Sequence, residues 1–319
     1  MSAPPPRNDR LWAVDALKLA LAVMVVGIHA DPFAGLGRVL HLLTAEGLFR
    51  LGVPVFLIFN GYYLHAGIEA GRGRPWLLRV LRLYVIWMLL YLPVYWQALA
   101  GMEPGALLRL ALFGYWHLWY LAGLVFAGAL LLALAHWPTG RLALLAGAAF
   151  ALGVAVTWGI AAGLVHPGPL FSDPLQPQRN PLVLSLPCLI AGFLMRRLRL
   201  PDRLPSALVR RLVLAGLAAL LAESLLLGAM PVGVPHDSLA SLGLAAPALA
   251  LAALQGRRHL SGRAMADYSG GIYFLHVAFV ALLFRHSDLA PPLVWLIAIA
   301  GSALLTAVLR RAGLARHLF

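Results

Sequence analysis

The chain has 319 residues, 61% hydrophobic and 12% charged, with a mean hydropathy of +0.84. A soluble domain of this length does not reach such a composition, so the sequence describes an all-α, polytopic integral membrane protein whose first partner is the lipid bilayer. The formal charge of +13 comes almost wholly from Arg, and where those residues fall relative to the apolar runs explains it without nucleic acid.

Cys188 is the single cysteine, which excludes an internal disulfide and argues against a cysteine-based metal site; no metal is expected. The Pro-rich head has no apolar run followed by a small-residue cleavage site, so the first span is expected to be retained as an anchor, with 1–10 as a cytoplasmic tail. Ten apolar stretches follow, at 11–30, 45–66, 77–100, 115–136, 142–164, 181–197, 207–230, 237–255, 268–286 and 292–311. They predict about ten transmembrane helices around a central pore or cavity, forming one domain over 1–319 with no extra soluble domain. An even count puts both termini on one side. That side then carries 19 Arg residues, against five on the other (Arg38, Arg50, Arg109, Arg179 and Arg285), and Lys18 lies inside the first span. The positive-inside rule therefore makes both termini cytoplasmic. The longest outer loop, 166–180, holds Pro167, Pro169, Asp173, Pro174 and Pro177.

The first stretch carries three polar residues, Asp15, Lys18 and His29. At about 100° per residue they fall on one stripe, with Lys18 and His29 about 16 Å apart along the axis. Lipid offers these groups no partner, so the stripe must face protein or water. The second stretch contains Pro54, expected to free a carbonyl inside the membrane, and then Asn60-Gly61-Tyr62, with helix packing through Gly61 as the plainer reading. Arg79 and Arg82, three residues apart, put two guanidiniums on one face suited to phosphate, or simply form a topogenic cluster. Tyr115-Trp116-His117-Leu118-Trp119-Tyr120-Leu121 reads as an interfacial aromatic belt in which His117 could also line a site. Glu223 and His276 are ionisable groups inside spans and so are functional candidates, with a hydrogen-bonded structural role as the alternative for Glu223.

Taken in order, these stretches resemble the acyltransferase-three family of membrane O-acyltransferases. The resemblance is carried by Lys18 followed by ten residues and His29, by Asn60-Gly61-Tyr62, by Arg79-x-x-Arg82, and by Tyr268-Ser-Gly-Gly-Ile-Tyr273-Phe-Leu-His276. It spans almost the whole chain. The run from His117 to Leu121 is similar to the branch that acetylates or succinylates bacterial surface sugars. The chain departs from the family in having Asn60 where Ser is common and Lys18 where Arg is frequent, which bears on the donor group rather than on the fold. The resemblance implies acyl transfer, chiefly acetyl transfer, from cytoplasmic acyl-CoA to a hydroxyl of a sugar, polysaccharide or glycolipid outside a bacterial inner (cytoplasmic) membrane. His29 is then the candidate base, since a neutral imidazole with a reference pKa of about 6.5 suits general-base work. Asn60, or a backbone N–H near Pro54 or Gly61, would meet the oxyanion. Lys18 would hold the pantetheine arm or pair with Asp15, and Arg79 and Arg82 would bind the phosphates of acyl-CoA. Tyr62, His117, Trp119, Glu223 and His276 would line the acceptor site. A transporter of a sugar or lipid precursor is the alternative. A non-catalytic assembly subunit leaves the polar stripe without purpose.

Reporter fusions at Gly168 and Gly256 should land on opposite sides of the membrane, the first outside; finding both on one side refutes the even-numbered topology.

Overall fold

The computed structural model describes residues 10–166, 177–232, 236–260 and 262–319. The Pro-rich head, and Pro167, Pro169, Asp173 and Pro174 of the long loop, lie outside the described residues, as does Gly168. Among the described residues the chain is helical throughout, apart from Arg10–Leu11 pairing antiparallel with His259–Leu260. In chain order the helices are α1 (Trp12–Ala30), α2 (Arg38–Thr44), α3 (Gly52–Glu69), α4 (Gly73–Leu90), α5 (Leu92–Leu99), α6 (Pro104–Phe113), α7 (Trp119–Leu134) and α8 (Thr139–Ala161). They continue with α9 (Leu186–Arg197), α10 (Leu200–Arg203), α11 (Ser206–Gly228), α12 (Leu242–Leu254), α13 (Ala264–His286), α14 (Pro291–Arg311) and α15 (Ala315–Leu318).

Each of the ten apolar stretches is helical for most of its length. Seven segments among the described residues are long and apolar enough to cross a membrane: Trp12–Ala30, Arg38–Glu69, Trp116–Leu134, Thr139–Ala161, Ser206–Gly228, Ala264–His286 and Pro291–Arg311. The other three stretches are interrupted. The run expected over 77–100 bends by 68° between α4 and α5, where Pro93 sits at the start of α5 and cannot continue the hydrogen-bond ladder. The run over 181–197 opens with a wide π-type turn at Pro181–Ser185 before the twelve-residue α9. The run over 237–255 is helical only over the thirteen residues of α12, with Pro247 inside. Hydropathy measures composition, and a bend such as that before Pro93 breaks a helix without lowering it. Pro54 lies within the Arg38–Glu69 segment, but as the third residue of α3, just after a 3-10 turn at Leu48–Leu51, so its missing N–H falls at the start of α3.

The second apolar segment forms the axis of the bundle. Its most apolar 18 residues are 78% buried, whereas those of α8 and α14 are 17% and 22% buried and turn Leu144, Leu152, Leu296 and Leu304 outward. The tightest contact is α3 against α9. A Cβ on Gly61 would lie 1.9 Å from the Leu189 carbonyl oxygen, and one on Gly192 would lie 1.8 Å from that of Ile58. Each glycine thus admits the other helix's backbone, the small-residue packing that brings membrane helices together. The second polar element of the bundle is α13, which packs on both α1 and α14. The β-pairing ties the start of α1 to the segment before α13, so the two helices begin at the same end of the bundle.

Gly61→Ala should lower the melting temperature in detergent by an amount equivalent to about 1–3 kcal/mol or more, because the obstructing atom is backbone and cannot rotate away. Gly67→Ala, where an added Cβ meets nothing within 4 Å, should be neutral or slightly stabilising. Equal melting of the two variants would show that the α3–α9 approach is not tight.

Candidate active site

Two cavities occupy opposite ends of α1 and α13. At the end where both helices begin, a cavity of about 620 Å³ is lined by Arg10, Lys18, Asn60, Arg79, Tyr120, Arg263, Ser269, Tyr273 and Phe319. At the end where they finish, a cavity of about 960 Å³ is lined by His29, Glu46, Arg50, Tyr115, Trp116, Arg179, Arg285 and His286. Between them lies a pocket of about 40 Å³ whose lining includes His29, His117, Trp119 and Tyr273. His29 therefore belongs to the small pocket and the larger cavity, and Tyr273 to the small pocket and the cavity at the helix starts.

In the cavity at the helix starts, Asp15 does not pair with Lys18. Its buried carboxylate accepts two hydrogen bonds from Arg10, Nε at 2.7 Å and Nη2 at 2.8 Å, and this bonding raises the Arg10 pKa above its ordinary value. The Lys18 ammonium lies over the rings of Phe59 at 5.3 Å and Tyr63 at 5.5 Å. Arg79 donates to the Phe319 carbonyl at 3.1 Å and lines the cavity, whereas Arg82 is exposed and is not among the lining residues. Asn60 Nδ2 donates to the Phe56 carbonyl and to Tyr120 Oη, both at 2.9 Å. An amide NH₂ has two donors, so both are engaged, and the Tyr120 O–H is the donor left to face the cavity.

The wall between the cavities is built of rings. His29 and His276 have centroids 5.1 Å apart, His276 and His117 5.3 Å, and His117 and Tyr273 5.8 Å. Tyr273 also packs edge-on against Tyr120 at 5.3 Å and Phe56 at 5.7 Å. Backbone carbonyls orient the buried imidazoles. His276 Nδ1 lies 2.7 Å from the Tyr273 oxygen, and His117 Nε2 lies 3.3 Å from the Phe274 oxygen. Tyr91 Oη donates to that same Phe274 oxygen at 2.6 Å and accepts from Ala278 N–H at 3.2 Å, so a phenol wedges between two groups one turn apart on α13, beside His276.

The larger cavity is braced by charge. Arg50, buried in a 3-10 turn, donates to Glu46 Oε1 at 2.8 Å, to Asp237 Oδ1 at 2.5 Å and to the Ala45 carbonyl at 2.9 Å. Arg179 lies 3.8 Å from Asp237 Oδ2 and 5.7 Å from the Trp119 ring. Glu46 Oε2 accepts from the His236 N–H at 2.8 Å, and burial holds the His236 imidazole below its ordinary pKa, leaving it neutral near pH 7. Two guanidiniums thus face two carboxylates.

The remaining sequence candidates stand apart. Tyr62 lies under the Arg196 guanidinium at 5.1 Å. Glu223 is a structural cap: its carboxylate accepts from Trp158 Nε1 at 3.0 Å, from the N–H groups of Ala240 at 2.8 Å and Ser241 at 2.7 Å, and from Ser241 Oγ at 2.6 Å, holding the segment that enters α12. Among the described residues there is no cluster of His, Cys, Asp and Glu suited to a metal.

A family model described as an acyltransferase domain, that of acyltransferase-three, matches residues 11–311. The chain belongs to the acyltransferase-three family. The resemblance read from Lys18-to-His29, Asn60-Gly61-Tyr62 and Arg79-x-x-Arg82 names that family. Two further relatives match in part. A serine/alanine racemase of Enterococcus gallinarum is 33% identical over 138 residues, covering 37% of this chain and 19% of the relative. An amino-acid racemase of Enterococcus faecalis is 27% identical over 125 residues, covering 35% of this chain and 18% of the relative. The matched part is less than a fifth of either racemase. No solved structure matches the chain.

In this member of the acyltransferase-three family, sequence reasoning missed the Glu46, Arg50 and Asp237 network, because Arg50 read as one of five outer-flank charges. The signal was present: Glu46 and Arg50 are spaced i,i+4 in an apolar surrounding, where a lone cation is expensive and a paired one is not. Tyr120 was also missed, being counted as part of the aromatic belt.

Arg50→Met should destabilise the protein by about 3–5 kcal/mol, since it leaves Glu46 and Asp237 buried without their cation. Arg50→Lys should recover only part, lacking the fork that reaches both carboxylates. A Met variant that melts with the wild type would remove the network from the stability of the fold.

Proposed function

We propose that this acyltransferase moves a short acyl group, acetyl in the simplest case, from cytoplasmic acyl-CoA to a hydroxyl of a sugar, polysaccharide or glycolipid on the other side of a bacterial cytoplasmic membrane. The observation that carries the reading is the pair of cavities at opposite ends of α1, one lined among the described residues with Arg10, Lys18, Arg79 and Arg263 and no Asp or Glu, the other with His29 and the paired charges of Arg50, Arg179 and Glu46, meeting at a wall of imidazole and phenol. Ten crossings follow if the bent α4–α5 pair, the Pro181–Arg197 segment and α12 join the seven long segments, and the Arg distribution then puts both termini in the cytoplasm.

Polyanionic CoA cannot enter hydrocarbon, so its phosphates stay at the cytoplasmic mouth. Arg79 and Arg263 line that mouth, Arg10 is held there by Asp15, and Lys18 lies deeper along α1 where the pantetheine arm passes. The acceptor enters the larger cavity, where Tyr115 and Trp116 stack at 5.4 Å with planes 7° apart and offer a flat apolar surface to a sugar ring. Trp116 holds a left-handed φ of 44° to present its indole there. His29 takes the hydroxyl proton, the oxygen attacks the thioester carbon, and the oxyanion is met by Tyr120 O–H, which Asn60 polarises. Collapse breaks the C–S bond, and His29 returns the proton to the thiolate, giving the ester and CoA thiol.

The transporter alternative shares the two-ended geometry but has no use for a tyrosine donor on one side of the ring wall and an imidazole on the other. Purified protein with acetyl-CoA should release free thiol only when an acceptor glycan is present. His29→Ala should lower turnover by about 10²–10⁴-fold without loss of fold. Arg79→Gln should raise the KM for acetyl-CoA and leave that for the acceptor nearly unchanged, and Arg82→Gln should do much less. Near-normal turnover without His29 overturns the mechanism, and solute uptake without thiol release favours the transporter.

A further inference from the structure

His276 is fully buried, and both carbonyls nearest its Nδ1, those of Tyr273 at 2.7 Å and Ile272 at 3.1 Å, can only accept. Nδ1 therefore carries the proton, and in the neutral ring Nε2 is a lone pair. That Nε2 is buried with no hydrogen-bond partner. An unpaired buried acceptor is unfavourable enough that native structures retain few without a reason.

Only a donor can satisfy it, and three rings lie near, of which Tyr273, with its centroid at 6.2 Å, already gives its O–H to the His117 carbonyl. His117 is excluded, because its Nε2 faces the Phe274 carbonyl and so bears the proton, leaving Nδ1 as a second buried, unpartnered lone pair. Two lone pairs cannot bond each other. His29 remains, with its centroid 5.1 Å from that of His276 and its plane tilted by 46°. No hydrogen bond from a described residue fixes the His29 ring, so a small rotation of that ring aims an N–H at His276 Nε2.

We propose that His276 is the positioning residue of a histidine pair: its Nε2 accepts a hydrogen bond from one ring N–H of His29, which leaves the other His29 nitrogen as the lone pair facing the acceptor hydroxyl. The inference rests on the reading of His29 as the base. In hydrolase triads a carboxylate orients the base; here a neutral imidazole does so, its own tautomer fixed by two backbone carbonyls. A neutral partner suits this wall, since it adds no further buried charge beside the Arg50, Arg179 and Asp237 already lining the small pocket. When His29 takes the hydroxyl proton, its second N–H keeps donating to His276 Nε2, which stabilises the imidazolium. The proton then leaves with the thiolate, and His276 neither gains nor loses one.

Two conservative substitutions separate this role from a structural one. Asn at 276 can place its amide donor where Nδ1 is, keeping the bond to the Tyr273 carbonyl while removing the lone pair. Gln can place its carbonyl oxygen where Nε2 is, keeping the acceptor while losing the anchor. His276→Asn should lower kcat by at least about 100-fold with KM for acetyl-CoA and acceptor unchanged within about twofold, and His276→Gln should retain kcat within about tenfold of wild type. A purely structural role predicts the reverse order, and either that order or equal kcat in the two variants overturns the proposal. Independently of turnover, ¹⁵N-histidine labelling in lipid nanodiscs reads the tautomer, with His29 signals identified by their absence in His29→Ala. His29 should occupy one tautomer in wild type and His276→Gln and a mixture in His276→Asn; a mixture in wild type, or one unchanged tautomer throughout, overturns the pair. If one variant fails to fold, the other still decides, because each carries its own tautomer. If wild-type protein transfers no acyl group, the acyl-transfer reading falls while the tautomer measurement still tests the pair.

Discussion

A polar group inside a bilayer has no water to fall back on, so each must find its partner within the protein or face a cavity. That constraint runs through the polar contacts of this chain. Asp15 and Arg10 pair across the first turn of α1, and Arg50 draws Glu46 and Asp237 together from distant parts of the chain. The Tyr84 hydroxyl reaches the Ala111 carbonyl, and Glu223 collects four donors. Against that background, the buried nitrogens left unpaired on His117 and His276 stand out, because both sit in the wall where the two cavities approach.

The wall is held in place by backbone rather than by side-chain ion pairs. α3 reaches within van der Waals contact of α9 through Gly61 and Gly192, which fixes Phe56 and Asn60 on the opposite face. Asn60 then fixes Tyr120, and Tyr120 packs on Tyr273. From the other side Tyr91 clamps α13 between Phe274 and Ala278, on either side of His276. Rigid helices thus meet edge to edge around a space of about 40 Å³. Preorganisation of this kind is what lets a modest set of dipoles stabilise a developing oxyanion.

Much of this was legible before any coordinates. Apolar run length marks all ten helical stretches, and the helical period puts Lys18 and His29 on α1 at two different depths, which is where the two cavities lie. The resemblance drawn from those residues names the right family. What escaped is information that a one-dimensional pattern does not hold. Asp15 has Lys18 three residues away and yet pairs with Arg10, because geometry at the helix start favours the flank. Glu46 and Asp237 are 191 residues apart, so nothing local shows that they share Arg50. Glu223 reads equally as a site residue or as a hydrogen-bonded structural one, and only the structure shows the four donors it gathers at the entry to α12. Pro54 reads as freeing a carbonyl inside a span, and only its register as the third residue of α3 places it at a helix start.

The dimensions of the wall bear on which acyl groups can pass. A pocket of about 40 Å³ between His29, His117 and Tyr273 holds a water or two, or a group of a few heavy atoms. Enlarging it means moving Tyr273, whose hydroxyl donates to the His117 carbonyl at 3.2 Å, or His117, whose ring is held at the Phe274 carbonyl. Each move breaks a hydrogen bond in a place without water to replace it. A short acyl group fits without that expense, whereas a long chain would have to stay on the donor side of Tyr273 with only its carbonyl reaching the pocket. Under the proposed transfer, the same tightness would keep bulk water from a thioester held there and leave selection of the hydroxyl that reaches His29 to the larger cavity.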